Sequence, residues 1–365
     1  MSELAPDKQR QTHIQIRGNY KVKGELVSPD VPKAFHAWKQ TSTDSSTPKM
    51  DRLAFARWLM QPDNPLTARV IANRYWETFF GVGIVRTSEE FGSQGDLPSN
   101  PELLDHLASD LIRSEWDIKR FIRNIVLSAA YRQRSAVSPT RYEEDPDNVF
   151  VSRGPRFRVS AEQVRDMALT SAGLLSQRLY GPPARPPQPA LGLTAAFGGK
   201  TDWDTSKGED RFRRGLYTLW RRSNPYPSMA TFDAPNREVC VLKRDRTNTP
   251  LQALVTLNDP VYVEAAQGLA RRIVVYDLPE GSLAERSELV FQLALSRRPT
   301  SRELDAIAKL YHETRIDLAS NLDRANKLAT DPIGPLPANS DPIELATWTT
   351  LCNVILNLDE FLMTP

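Results

Sequence analysis

RTNTPLQALVTLNDP, residues 246–260, sets Thr, Asn and Thr ahead of Pro250, an apolar run behind it, and Asn-Asp-Pro at its end. Thr249 before Pro250 reads as an N-cap followed by the first helical position, where the N–H that proline lacks would be unbonded anyway. Asp259 before Pro260 repeats the device. The stretch therefore predicts a short helix over LQALVTL, a tight corner, and a second helix over VYVEAAQGLARRIV. One cap needs one side-chain acceptor and the sequence offers three, so Asn248 is spare and becomes a candidate ligand-binding residue.

The same punctuation recurs outward from this point. In DNPLTARVIANRYWETFFG, Asn64 can cap, Pro65 can open the helix and Gly81 can stop it, with Leu66, Val70, Asn73, Glu77 and Phe80 on one face. Asn100 and Pro101 start a helix carrying the stripe Leu103, Leu104, Leu107, Leu111 and Ile112. Asp117 caps DIKRFIRNIVLSAAY, and Ser160 with Gln163 forms a capping box. Further helices are predicted over 283–295, 301–319 and 342–356. Strand signals are few: HIQIR at 13–17, and the alternation of residues 216–220 inside RFRRGLYTLWRR. The fold class is therefore mainly α, a multi-helix domain with a small β element and long Pro-rich loops. Residues 1–49 read as an N-terminal arm or the tail of an upstream domain, and 50–180 as a helical half. Residues 181–210, opening with GPPARPPQPALG, read as a Pro-rich loop or hinge. Residues 211–365 supply the arginine and aromatic strand segment and a second helical half, forming one domain with 50–180.

Composition narrows the function classes. With 47 basic and 45 acidic side chains the formal net charge is +2, so nothing global calls for nucleic acid or an anionic membrane, and any such partner must be met by a local patch. The 2 cysteines, Cys240 and Cys352, are too few for a disulfide framework and lack C-x-x-C spacing. No apolar run is long enough to span a membrane, and the first residues lack the apolar core of an export signal.

FDAPNREVC, RTNTPLQALVTLND, NPLTARVIANRYWETFFGVGIV, EEFGSQGDLPSNPELLDHLA and LNLDEFL together resemble the C-terminal conserved domain of unknown function, family fifteen-fifty-three, of large planctomycete proteins. The resemblance spans roughly residues 51–361. It implies partners, an upstream tandem domain and a cytochrome c-like module, and it implies an extracytoplasmic or periplasmic location in the cell envelope. Any haem belongs to that upstream module, since no C-x-x-C-H occurs here and no cofactor is expected in this chain. Two departures from the family pattern are Glu90, where Asp is usual before Phe-Gly, and Asn100, where His is usual. The second argues against an indispensable catalytic base at that position.

Candidate chemistry is concentrated in three places. His13, His36, His106 and His312 show no metal-ligand spacing, so no metal is expected. No nucleophile elbow, P-loop or dinucleotide fingerprint is present. Glu90 precedes the FGSQGD turn, and Asp233 sits in FDAP, where Pro235 forces Ala234 extended. If the two converge they can act as acid and base on a glycosidic bond; otherwise they cap turns and pair with arginines. Arg213, Arg214, Trp220 and Arg237 belong to the one local basic and aromatic concentration, suited to a sulfated or acidic glycan. The alternative is internal pairing with Asp202, Asp204, Asp210 and Asp233. Arg69, Asn73, Arg74 and Trp76 recur along the first helical motif, either lining a cleft or forming a structural polar network, with Glu77 as a partner for Arg74. The leading expectation is a binding or assembly module for acidic or sulfated polysaccharide. The alternative is a glycan hydrolase using Glu90 and Asp233.

Overall fold

A computed structural model of the chain describes residues 4–5, 8–32, 34–37, 50–189, 203–222 and 224–364. They fall into two compact units, Met1–Pro155 and Arg156–Pro365. Thirteen α-helices and one two-stranded sheet are present among the described residues, so the protein is mainly α with a small β element.

In the first unit, β1 (Thr12–Gln15) and β2 (Lys23–Val27) form an antiparallel hairpin in which His13 faces Leu26, with an irregularity before Gln15. The helices are α1 (Arg52–Leu59), α2 (Thr67–Phe80), α3 (Pro101–Arg113), α4 (Ile118–Val126) and α5 (Pro139–Glu144). Each expected cap on α3 and α4 is made: Asn100 accepts the Leu103 N–H and Asp117 that of Arg120, both at 3.0 Å. Gly81 ends α2 in the left-handed region at φ 83°, where a side chain is disfavoured. The start of α2 falls two residues later than Pro65, because Asn64 Oδ1 accepts the N–H groups of both Leu66 and Thr67. The buried face is also shifted from the expected one. Ala68, Ala72, Asn73 and Trp76 are inside, and Ala72 packs in one cluster with Leu104, Leu111, Phe121 and Ile125 of α3 and α4. Alanine lets helices approach, and the aromatic ring supplies the area that branched residues would have supplied.

The second unit contains α6 (Ala161–Ser171), α7 (Pro227–Thr231), α8 (Pro250–Asn258), α9 (Pro260–Arg271), α10 (Leu283–Leu295), α11 (Ser301–Ala319), α12 (Leu322–Thr330) and α13 (Pro342–Leu356). The corner between α8 and α9 is the one predicted, with Thr249 capping α8 and Asp259 capping α9. Helix α9 is central, buried on nearly every face and packed against α6, α8 and α13. At Gly268 an added Cβ would come within 2.6 Å of the Leu174 side chain and 3.1 Å of Ala172 Cβ, so the leucine would have to move to admit it. The core joins Val164, Phe232, Leu269, Phe291, Trp348 and Phe361. The terminal LNLDEFL turn is tied in by charge: Asp359 pairs with Arg158 at 2.9 Å and Glu360 with Arg297 at 2.7 Å.

The strand expected over 216–220 is not formed. Gly215–Tyr217 is a 3-10 turn, followed by a single parallel bridge in which Ala184 donates to Tyr217 O and accepts from the Leu219 N–H, both at 2.7 Å. Pro182, Pro183, Pro186 and Pro187 flank Ala184 and carry no N–H, so the ladder cannot lengthen. Residues 190–202 of the expected Pro-rich loop lie outside the described residues.

Candidate functional site

A cavity of about 440 Å³ opens in the first unit between the end of α2, the turn behind it, the start of α3 and the loop at 147–151. Trp76 and Phe80, one helical turn apart on α2, stack on each other at a centroid separation of 4.0 Å and 16°, and form its aromatic wall. Arg86 and Asp147, joined at 2.8 Å, stand on its lining with Asp96 and Asn100. Leu97 and Phe150 lie at its rim, 90% and 79% exposed.

The cavity has a built frame. Asn73, fully buried, imitates a strand neighbour: its Oδ1 accepts the Val85 N–H at 2.8 Å and its Nδ2 donates to Val85 O and Ser88 Oγ, both at 3.0 Å. Ser88 in turn donates to Glu77 Oε2 at 2.5 Å. Gly83 is required beside this clasp, since an added Cβ would come within 2.4 Å of Val85 O and 2.7 Å of Asn73 Nδ2. On the opposite wall Asp145 accepts the N–H groups of Val149 and Phe150, while Arg153 donates to the carbonyls of Asp145 and Pro146. Val151, on the cavity lining, is held at φ 52°, an outlier for a β-branched residue. Strain of this kind persists only where the surroundings impose it, and it clusters at functional sites.

Of the residues singled out on α2, Trp76 lines this cavity and Asn73 builds its frame. Arg69 faces away into a pair with Asp105 at 2.6 Å, and its hydrogen bond holds the Asp105 carboxyl below the usual range. Arg74 is exposed, and no ion pair joins it to Glu77 among the described residues. Glu90 turns its carboxylate back on its own loop, where Oε1 accepts the Gly92 N–H at 2.6 Å.

The arginine and aromatic segment belongs to the second unit and is largely architecture. Arg213 is 1% exposed. Its guanidinium donates to Pro182 O at 2.9 Å and to Tyr180 O, and lies 3.7 Å above the Tyr217 ring, so it ties down the proline-rich segment. Arg214 pairs with Asp166 at 3.0 Å. Trp220 donates to Asn236 O and lies under Arg237 at 5.5 Å. Asp233, at φ 60°, gives both carboxylate oxygens to Thr247. Asn248 is exposed. Thr247, unexplained by capping, is accounted for: it takes Asp233 on one side and a hydrogen bond from Gln252 Nε2 on the other at 3.1 Å. Among the anticipated internal acidic partners, Asp210 pairs with Arg178, while Asp202 lies outside the described residues.

Sequence reading did not find the buried charges around α9. Arg211 Nε lies 2.6 Å from Glu264 Oε1, and Arg165, 2% exposed, donates to the carbonyls of Arg211 and Arg213. Burial pushes the Glu264 carboxyl up to about 7 against the pull of Arg211 and Arg165. It pushes Asp259 up to about 6 against the Val261 N–H and Arg165. Phe80, Arg86, Asp96, Asp147, Phe150 and Val151 were likewise missed as cavity residues. Only Phe80 carried a local signal, its spacing of four from Trp76. Among the described residues, no group of three or more His, Cys, Asp or Glu side chains is placed to hold a metal ion, and no helix is long and apolar enough to cross a membrane.

The model of PSD1, protein of unknown function (DUF1553), matches residues 51–311, and the chain belongs to that family. No curated protein and no solved structure gives a match.

Proposed function

We propose that this DUF1553 chain is a binding module whose ligand site is the first-unit cavity and whose ligand is a saccharide. The observation that carries the reading is the stacked Trp76–Phe80 wall facing polar groups across about 440 Å³. Aromatic surface takes the apolar face of a sugar ring, while convergent carboxylates, an amide and a guanidinium take its hydroxyls. The charge balance selects among saccharides. Two carboxylates, Asp96 and Asp147, accompany the single cation Arg86 on the lining, and Arg86 is already joined to Asp147. A neutral or amino sugar is therefore favoured over the sulfated or acidic glycan that the arginine segment suggested, whose most central guanidinium, that of Arg213, is spent on backbone carbonyls. An extracytoplasmic setting belongs to the same proposal.

No comparable observation favours a hydrolase. Glu90 and Asp233 lie in different units, and each is engaged by donors of its own loop.

Calorimetric titration with neutral, amino, uronic and sulfated oligosaccharides tests the reading. Binding confined to the neutral or amino panel, weakened at least roughly tenfold by Phe150→Ala, is the expected result. Phe150 is exposed, so the melting temperature of that variant should stay close to the parent's. Absence of binding across the panel, or binding indifferent to Phe150→Ala, removes the proposal.

A further inference from the structure

The first-unit cavity carries a collar of exposed apolar side chains. Val82, Leu97, Val149 and Phe150 all stand on its lining, and they are 39%, 90%, 37% and 79% exposed. Apolar side chains exposed singly are ordinary on any protein surface. Four on the lining of one concave site, continuous with the stacked Trp76–Phe80 wall, are not scattered, and grouped apolar exposure of this kind marks a ligand-binding place.

The backbone holds these side chains outward. Asp96 donates its N–H to Thr87 Oγ1 at 2.9 Å, and Ser99 donates to Ile84 O at 2.8 Å. Between them Pro98 confines Leu97 to extended backbone, so Leu97 is clamped on both sides. Gly95 leaves no slack ahead of this clamp, because an added Cβ would lie 2.0 Å from Glu90 O. In the loop at 147–151, Asn148 at φ 54° and Val151 at φ 52° bracket Val149 and Phe150, whose N–H groups go to the Asp145 carboxylate at 2.7 and 3.2 Å. Val82 sits between Gly81, at φ 83°, and Gly83, which has no room for a side chain. The apolar exposure is therefore imposed by the fold before any ligand arrives, which lowers the ordering cost of binding.

We propose that the collar is a second subsite of the cavity, for an aliphatic chain, so that, given the saccharide reading on which this rests, the ligand is an alkyl- or acyl-linked neutral or amino sugar. Side-chain chemistry chooses the chain. Sugar rings stack on aromatic faces, which Trp76 and Phe80 supply, whereas branched aliphatic groups offer nothing to ring hydroxyls and shed water most favourably against methylenes. Val82, Leu97 and Val149 are aliphatic and only Phe150 is aromatic, so a chain fits the collar better than an aromatic aglycone does. Asp96, Asn100 and the Arg86–Asp147 pair are left for the sugar.

Calorimetric titration of the full chain with the methyl, hexyl and phenyl glycosides of glucose, and then of glucosamine, tests this below micelle-forming concentrations. A fully buried methylene is worth about fourfold in affinity, so a chain lying half in the open should give the hexyl glycoside at least roughly a tenfold advantage over the methyl one. Leu97→Ser with Val82→Ser should bring that ratio to within about threefold of one. Both residues are exposed, so the melting temperature should stay near the parent's, and the single serine variants serve if the pair fails to fold. The proposal fails if the phenyl glycoside binds more tightly than the hexyl, if the hexyl advantage survives the substitutions, or if they dissolve a ligand-free dimer seen by analytical ultracentrifugation. It fails too if hexanol binds as tightly as the hexyl glycoside, since the chain would then owe nothing to a sugar. Methyl and hexyl glycosides that bind alike sink the second subsite and leave the saccharide reading standing, whereas no binding by any glycoside removes both.

Discussion

Asp233 holds Thr247 across the neck of a loop: Oδ2 accepts the Thr247 N–H at 2.7 Å and both carboxylate oxygens lie within 3.0 Å of Thr247 Oγ1, from a residue at φ 60°. Asp and Asn tolerate that backbone better than alanine does. Asp233→Ala should therefore lose the bonds and add strain, destabilising the second unit by roughly 2 kcal/mol, while Asp233→Asn should cost less than about 1 kcal/mol. Urea unfolding of the two variants checks this, and equal losses would show that the loop neck does not depend on either feature.

Glu264 makes stability depend on pH. Its carboxyl is raised from 4.5 to about 7 by burial, so the folded state binds the proton more tightly than the unfolded state does. The resulting stabilisation is complete below about pH 4.5 and is lost as pH rises through 7. Asp259, raised to about 6, acts in the same direction slightly lower. Unfolding free energy should fall from pH 5 to pH 8, with Glu264 contributing about 1–3 kcal/mol. Glu264→Gln should flatten the slope. A parent whose stability rises over that interval would contradict the assignment.

Arg213 and Arg214 are neighbours with opposite roles. Arg213→Ala removes a buried guanidinium from two carbonyls and a tyrosine face, and should cost about 2–4 kcal/mol. Lysine cannot bond both carbonyls in the same fork, so Arg213→Lys should recover only part of this. Arg214→Ala breaks a half-exposed pair with Asp166 and should cost under about 1 kcal/mol. Thermal melts of the three variants decide, and near-equal melting temperatures would mean that the proline-rich segment is held by something else.

The Asn73 clasp links stability to the cavity. Asn73→Ala strands the buried N–H and C=O of Val85 and should cost about 2–4 kcal/mol, and Gly83→Ala should be at least as damaging because its Cβ meets Val85 O. Asn73→Asp keeps one acceptor for the Val85 N–H but turns the other contact, to Val85 O, repulsive. Measured by denaturant midpoint and by saccharide titration together, these variants should lose stability and affinity in the same order. Full affinity in a destabilised Asn73→Ala would separate the clasp from the site.

Local sequence was sufficient wherever the physics is local. Caps at Asn100, Asp117, Ser160, Thr249 and Asp259, the stop at Gly81 and the spans of α10, α11 and α13 depend on residues within one turn of each other, and all appear as read. Tertiary structure decided which face of each helix is inside. It buries Gln252 and exposes Leu251 because Thr231, Thr247 and Asn357 converge on α8, and of these Thr231 lies 21 residues from Gln252 and Asn357 lies 101 residues from Thr256. It likewise decided that Arg213 is interior, since its partners Tyr180 and Pro182 lie over thirty residues upstream. The cavity assembles Trp76, Arg86, Asp96 and Phe150 from four segments. Hydrogen bonds and cavity walls are made by whatever the fold brings together, and sequence spacing carries no record of that meeting.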